Sequence, residues 1–446
     1  PGLIQYQYNL INFNSMANIF LHDEFNPEDT AMLQALYSRS PESVEKHTEK
    51  VKKTGSGKFM ETFYIGYGHA SIADCGSTTL FIEGLSILAD KAIQDWPLYC
   101  GQETSTRYTD MTKQSIIDPL NTKESQQILK NWLDFYKSSL GPMREYLQQR
   151  YPRKAGQEDK IYERAINARA FDILRSFLPA GITTQLSWHT NLRQAYDKIT
   201  WLRAYPLPEV QQIASNLEQI LKEHYPHSFC QPVDEAAENY RRHILTHNYY
   251  YNPDQVVNFR FTTNIKDQDL EKWSYALTNR PPKTSLPYFL SELGQCTFEF
   301  LLDYGSFRDI QRHRNGTCRI PLLTSQYGFE PWYLAELPSK LHDSALKLID
   351  QQIKAIANLP ADEPTKQYYL ALGFLVPCKV TYGLPATVYT AELRSGTTVH
   401  PTLRAIAHQM IKALQDRWPK LKLHADLAPN VWDINRGKQT IEEKTN

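Results

Sequence analysis

"LPEVQQIASNLEQILKEHYP" (residues 207–226) has a counterpart in "HPTLRAIAHQMIKALQDRWP" (400–419). Aligned without a gap, Pro208 meets Pro401, Val210 meets Leu403, Ile213 meets Ile406, Ala214 meets Ala407, Leu217 meets Met410, Leu221 meets Leu414 and Pro226 meets Pro419. Each segment opens with a proline suited to the first turn of a helix and closes before another. The apolar steps of three and four describe one buried helix face. Upstream, Leu202-Arg203 matches Leu393-Arg394, and before those "LRSFLP" (174–179) matches "LGFLVP" (372–377). The same order in both halves reads as an internal repeat, and so as two related domains.

Working outward, the first copy spans 17–245 and the second 256–446. The boundary falls in "LTHNYYYNPDQ" (245–255), which is tyrosine-rich and carries an Asn-Pro break. Helical periodicity covers 33–53, 123–150, 159–177, 208–224, 340–358 and 402–417, around short β-prone runs such as "TTLFIEGLS" (78–86) and "TFEFLLDYG" (297–305). The pattern predicts a mixed α+β fold.

The bulk numbers narrow the function. At 446 residues the chain is long for one domain, and its 41% hydrophobic and 22% charged content is that of an ordinary globular protein. Lys+Arg and Asp+Glu are both 49, so any basic site is local, and neither nucleic acid nor an anionic membrane is an expected partner. No apolar run approaches the roughly 18 residues a membrane helix needs. The N-terminal stretch has no basic region leading into an apolar one, which argues against a secretion signal. The chain starts with Pro, so residues 1–15 are left out of the fold reasoning. Cys75, Cys100, Cys230, Cys296, Cys318 and Cys378 stand far apart, with no CxxC pair, which fits free thiols in a reducing cytoplasm and no metal site. "TGSGKF" (54–59) is only the tail of a phosphate loop: Phe59 stands where magnesium chemistry needs Ser or Thr, and a flexible turn is expected.

Two half-motifs carry the chemistry. In the first copy "GYGHASIAD" (66–74) precedes the strand-like run and "GQETSTRY" (101–108) follows it. In the second, the strand-like run leads into "RDIQRHRNGT" (308–317). GHxS, an apolar strand, then RHR followed by ExSxRY is similar to the flavin-dependent thymidylate synthase family, where one chain carries the whole series. Here it is divided. The RHR slot of the first copy holds Asp95-Trp96-Pro97, and the ExSxR slot of the second holds "IPLLT" (320–324). The chain departs from the family at Asp74-Cys75, where the family has Glu-His, and at Asp197, where it has Asn.

The resemblance implies two related domains, each a small, mostly antiparallel sheet flanked by helices. It implies reductive methylation of 2′-deoxyuridylate (dUMP) at C5, with methylenetetrahydrofolate as carbon donor, FAD as hydride carrier and NADPH as reductant. Glu103, Ser105, Arg107 and Arg175 from the first copy and Arg312 from the second would bind the nucleotide, because a phosphate calls for hydroxyls and forked guanidiniums. Arg203 would stabilise negative charge on the uracil as C5 becomes nucleophilic. His69, Ser71, Asn191, Arg193, Arg312, His313 and Arg314 would hold FAD. The family's sites lie between subunits of a homotetramer, so a fused pair is expected to work as a homodimer. The alternatives are a related enzyme modifying another pyrimidine nucleotide, or a non-catalytic flavin- or nucleotide-binding protein.

Overall fold

The computed structural model describes residues 24–429 and 432–439; the N-terminal stretch read for a secretion signal lies outside them. The chain divides into two compact units. The smaller comprises the described residues up to Thr78 with Asn191–Tyr196 and Glu218–Pro232; the larger comprises Thr79–Thr190, Asp197–Leu217 and the chain from Val233 onward.

The smaller unit starts with two helices, Pro27–Tyr37 and Val44–Thr54. The periodicity over 33–53 predicted one continuous helix. The chain breaks instead between Ser38 and Ser43, where Pro41 offers no amide and Ser43 accepts from Glu45 N to start the second helix. Met32, Leu33 and Val51 form the core between them. After a π-helical turn at Met60–Gly66, Gly68 takes φ +67°, a left-handed conformation that suits glycine, and leads to His69.

The larger unit contains nearly all of two small antiparallel sheets flanked by helices. The first sheet has strands β1 (Ser77–Ser86), β2 (Cys100–Glu103) and β3 (Thr183–Asn191) in the order β1-β3-β2. The second has β4 (Phe259–Thr263), β5 (Gln295–Asp303), β6 (Gly316–Arg319) and β7 (Leu375–Gly383) in the order β4-β5-β7-β6. Apart from β4 the two sheets are built alike. β1 runs into helix Ile87–Gln94, capped by Ser86, as β5 runs into helix Tyr304–Gln311, capped by Asp303. Each is followed by a short edge strand, then by a long helix, Lys123–Arg150 in one and Ser339–Ala357 in the other. Another helix, Asp159–Leu174 in one and the short Glu363–Lys366 in the other, then leads into a 3₁₀ turn, a central strand and two further helices in each half. The strand register repeats as well: Cys100 pairs with His189 as Thr317 pairs with Thr381.

The halves meet at a local two-fold. Ala180 N donates to Leu370 O and Leu372 N donates to Leu178 O. Gly181 N donates to Tyr368 O and Gly373 N donates to Ser176 O, and Pro179 bridges Ala371. These bonds make "LRSFLP" the counterpart of the 366–371 segment, not of "LGFLVP". The match drawn from the sequence is displaced because two apolar runs ending in Pro look alike while the backbone pairing follows a different register. Trp132 seals the junction, fully buried and donating from Nε1 to Tyr369 O at 2.9 Å. No described helix is long and apolar enough to cross a membrane.

Candidate functional site

The site grows from the end of a helix and the end of a strand. Arg308, in helix Tyr304–Gln311, and Arg312, its C-cap, sit one turn apart and so reach the same side. On the other half, β2 ends at Glu103, whose side chain is 5% exposed. Glu103 Oε1 lies 2.8 Å from Arg308 Nη2 and 2.7 Å from Arg312 Nη2. The two half-motifs, distant in sequence, thus touch within one chain. Arg312 keeps 42% of its side chain exposed, so its charge is open to a ligand. Gln94 links the remaining groups: its amide nitrogen donates to Asp90 and Glu103, and its carbonyl accepts from Arg314 Nη2 at 3.2 Å.

The electrostatics follow from burial. Burial and then the charge of Glu103 push the Asp90 carboxyl well above the usual range, so Asp90 keeps its proton. Burial works against Glu103 as well. Arg308 outweighs it, helped by hydrogen bonding to Asp90 and by Arg312, and Glu103 stays ionised. Asp309 is partly buried, and burial opposes its charge, yet Arg312, then Arg394, Arg107 and Arg175 hold its carboxyl below the ordinary value.

Behind this lies a second layer. Arg107 Nε donates to Asp172 Oδ1 at 2.7 Å, and Arg436 from the C-terminal stretch bonds the other oxygen. Asp172 has no exposed surface; burial opposes its charge, but Arg107 and Arg436 hold its pKa well below the usual range. Arg175, 2% exposed, donates to Ser306 Oγ at 2.8 Å. Ser306 belongs to a buried set in which Asp303 accepts from Tyr333 at 2.7 Å and Thr402 at 2.6 Å. His400, driven far below its ordinary pKa first by burial and then by Arg175, stays neutral there. His313 is likewise neutral, lowered to about 3 by burial and then by Arg394, and its Nε2 accepts from Arg394 Nε at 2.8 Å.

The arginines of this cluster (Arg107, Arg175, Arg308, Arg312, Arg314, Arg394 and Arg436) outnumber its ionised acids. Several of their nitrogens have no protein partner despite burial: Arg175 Nε, Arg308 Nε, Arg436 Nε and Arg436 Nη2. Enclosed by protein, these donors leave the cluster with uncompensated positive charge, and the exposed guanidinium of Arg312 is where a phosphate-bearing ligand, whether a nucleotide or the pyrophosphate of FAD, could meet it. All six cysteines are unpaired, and burial raises Cys296 to about 11 and Cys318 to about 12, so neither of these two is a ready thiolate. No cluster able to hold a metal occurs among the described residues.

Of the residues singled out in the sequence, Glu103, Arg107, Arg175, Arg312, His313 and Arg314 come together in the larger unit. Ser105 lies beside them, its hydroxyl accepting from Arg107 N at 3.2 Å. Arg203 does not join them: it pairs with Glu238 of helix Glu235–Asn248 at 2.7 Å. Arg394, the last residue of helix Leu384–Arg394, is the arginine in the cluster. By the register that makes Leu192 the counterpart of Leu384 it stands opposite Leu202 and not Arg203, so the sequence match of Leu202-Arg203 with Leu393-Arg394 is displaced by one residue. Arg308 was readable from its spacing to Arg312, whereas Asp172 and Arg436 carry no local pattern. His69, Ser71, Asn191 and Arg193 belong to the smaller unit. His69 is exposed and packs against Phe63 and Tyr67, Asn191 Oδ1 accepts from Gln194 N at 2.8 Å, and Arg193 Nε donates to Asp74 at 2.7 Å.

Residues 21–227 match the sequence profile of the thymidylate synthase complementing protein family. A UPF0159 protein of Thermoplasma acidophilum is 24% identical over 88% of this chain and 94% of its own length. UPF0159 proteins of Chlamydia pneumoniae and Chlamydia muridarum are 23% and 25% identical, over 86% and 85% of this chain and 83% and 82% of their own lengths.

Proposed function

We propose that the chain, whose residues 21–227 match the profile of the thymidylate synthase complementing protein family, is a tandem-duplicated, flavin-dependent thymidylate synthase. It would methylate dUMP at C5, with methylenetetrahydrofolate as carbon donor and NADPH as reductant. The observation that carries this reading is the contact of Glu103 with Arg312 at 2.7 Å, which joins the ExSxR half of one copy to the RHR half of the other.

Each residue then has a task. Arg107, Arg312 and the hydroxyl of Ser105 hold the nucleotide phosphate, with the surplus of guanidinium charge drawing it in. Arg175 is too deeply buried to grip a ligand by itself, and it orders the Ser306–Asp303 set beneath the site. Glu103 fixes Arg308 and Arg312 in one geometry, so little side-chain freedom is lost on binding. Arg394 replaces Arg203 as the group that stabilises negative charge on the pyrimidine. FAD, when bound, would supply the hydride; His313 and Arg314 are the larger unit's candidates to contact it, and His69, Ser71, Asn191 and Arg193 remain a separate set of candidates in the smaller unit. No thiol nucleophile is needed by this chemistry.

The test is tritium release from 5-tritiated dUMP in the presence of FAD, methylenetetrahydrofolate and NADPH. Release is expected from the wild type and should vanish in Arg312→Gln. Tight dUMP binding without release would replace this reading with that of a non-catalytic nucleotide-binding protein.

A further inference from the structure

The two-fold that relates the halves also generates a counterpart of the arginine cluster, and its residues have changed. Following the matched helices and strand registers, Lys91 stands in for Arg308, Phe307 for Asp90, Ile320 for Glu103, Asp95 for Arg312 and Pro97 for Arg314. The geometry repeats while the chemistry differs. Arg308 lies 3.8 Å from the Asp90 carboxyl group, and Lys91 Nζ lies 3.8 Å from the centroid of the Phe307 ring. Gln367 occupies the place of Arg175. The phosphate grip is gone here, but the space is not. A cavity of about 390 Å³ remains, walled by Trp96, Tyr205, Tyr249, Tyr250 and Tyr304, with Lys91 at its side.

Charge in this cavity is unbalanced. Lys91 is 6% exposed and its Nζ has no hydrogen-bond partner. The other charged groups on the wall are engaged. Asp95 accepts from Tyr249 Oη at 2.8 Å, Arg319 donates to the carbonyls of Asn248 and Tyr249, and Arg314 donates to Gln94. His313 is neutral. A buried ammonium that rests on an aromatic ring but has no hydrogen-bond partner is costly, and an anion placed beside it would lower that cost. The aromatic walls supply stacking surface for a ring.

We infer that this cavity is a second ligand site, which takes a planar aromatic molecule carrying a single negative charge and not a phosphate ester. The inference depends on the two-copy reading only for the claim that the cavity is distinct from the nucleotide site. Burial lowers Lys91 to about 8, with Asp95, Cys318, Cys378 and Asp90 as the titratable groups that face it. Anion binding should therefore weaken as the pH rises through about 8 and Lys91 loses its proton.

The probe is naphthalene-2-sulfonate, titrated calorimetrically into the full chain, with uncharged 2-naphthamide as the control. One sulfonate per chain is expected, bound at least tenfold more tightly than the amide. Lys91→Met should erase that preference. Thr317→Trp, which plugs the exposed rim of the cavity and leaves Lys91 in place, should abolish both. Arg107→Ala should leave sulfonate binding unchanged, and inorganic phosphate and dUMP should fail to displace it. Undiminished binding in Thr317→Trp, an intact charge preference in Lys91→Met, or displacement by phosphate or dUMP would overturn the site, as would no sulfonate binding by the wild type. These arms are independent of tritium release, so the failure of one reading leaves the other standing.

Discussion

Asp172 shows how far the arginine cluster depends on single pairings. Its carboxylate has no exposed surface and is held between Arg107 and Arg436. Removing one partner of a buried pair costs about 3–5 kcal/mol. Arg107→Ala should therefore lower the melting temperature and also weaken dUMP binding at least tenfold, about 1.5–3 kcal/mol for a lost charge-assisted contact. Asp172→Asn separates the two effects: it leaves the buried Arg436 without its carboxylate and should also lower the melting temperature, but it keeps Arg107 and should spare nucleotide affinity. If dUMP binding falls as far as in Arg107→Ala, Arg107 serves only to pair with Asp172. Ser105→Ala should do less, because the hydroxyl accepts one weak bond from Arg107 N and the turn is otherwise backbone-held. Glu330 is a separate case. Burial, then the charge of Asp303, raises it from 4.5 to about 7. A carboxyl raised in the fold favours the protonated state, so stability is lost as the pH rises from about 4.5 through 7. Glu330→Gln should melt higher than the wild type above pH 7 and show a smaller gain near pH 4; melting curves across that range decide it.

At the level of elements, the junction of the two halves is the most exacting place. A Cβ on Gly181 would lie 2.8 Å from Ile117 O and 2.9 Å from Tyr368 O, and one on Gly373 would lie 2.2 Å from the Phe329 ring. Backbone oxygens cannot move without breaking the crossing bonds, so Gly181→Ala should cost roughly 1–3 kcal/mol, as overpacked sites do. Gly373→Ala should cost as much or more, because Phe329 is itself held by stacking against Phe177. Chemical denaturation of both variants tests this, and wild-type midpoints would mean the junction is looser than drawn. Most elements were legible before the structure. Helices Lys123–Arg150, Pro208–His224 and Pro401–Arg417 follow from periodicity bounded by proline or a capping residue. The crossing at Pro179 and Ala371 was not, since four backbone bonds between remote turns leave no side-chain pattern.

For the whole molecule, equal numbers of acids and bases conceal a local surplus of positive charge, and the repeat concentrates it. Glu103, Arg107, Arg312 and Arg314 were readable as parts of a divided motif. The acids that bind them together, Asp172 and Asp309, and the tail residue Arg436 were not, because contacts across the fold set their roles. The division has a consequence for stoichiometry. One meeting of the halves keeps Glu103 against Arg312, while its counterpart presents Ile320 and Asp95, which offer a phosphate nothing but an apolar wall and a like charge. Each chain should therefore bind one dUMP and not two, and a homodimer two. Equilibrium dialysis of dUMP against protein whose mass in solution is measured in parallel gives both numbers. Arg312→Gln should remove the bound nucleotide altogether, since the counterpart has nothing to replace it. Two dUMP molecules per chain, or one retained by Arg312→Gln, would mean that the Lys91 side still grips phosphate and that the division of labour between the halves is wrong.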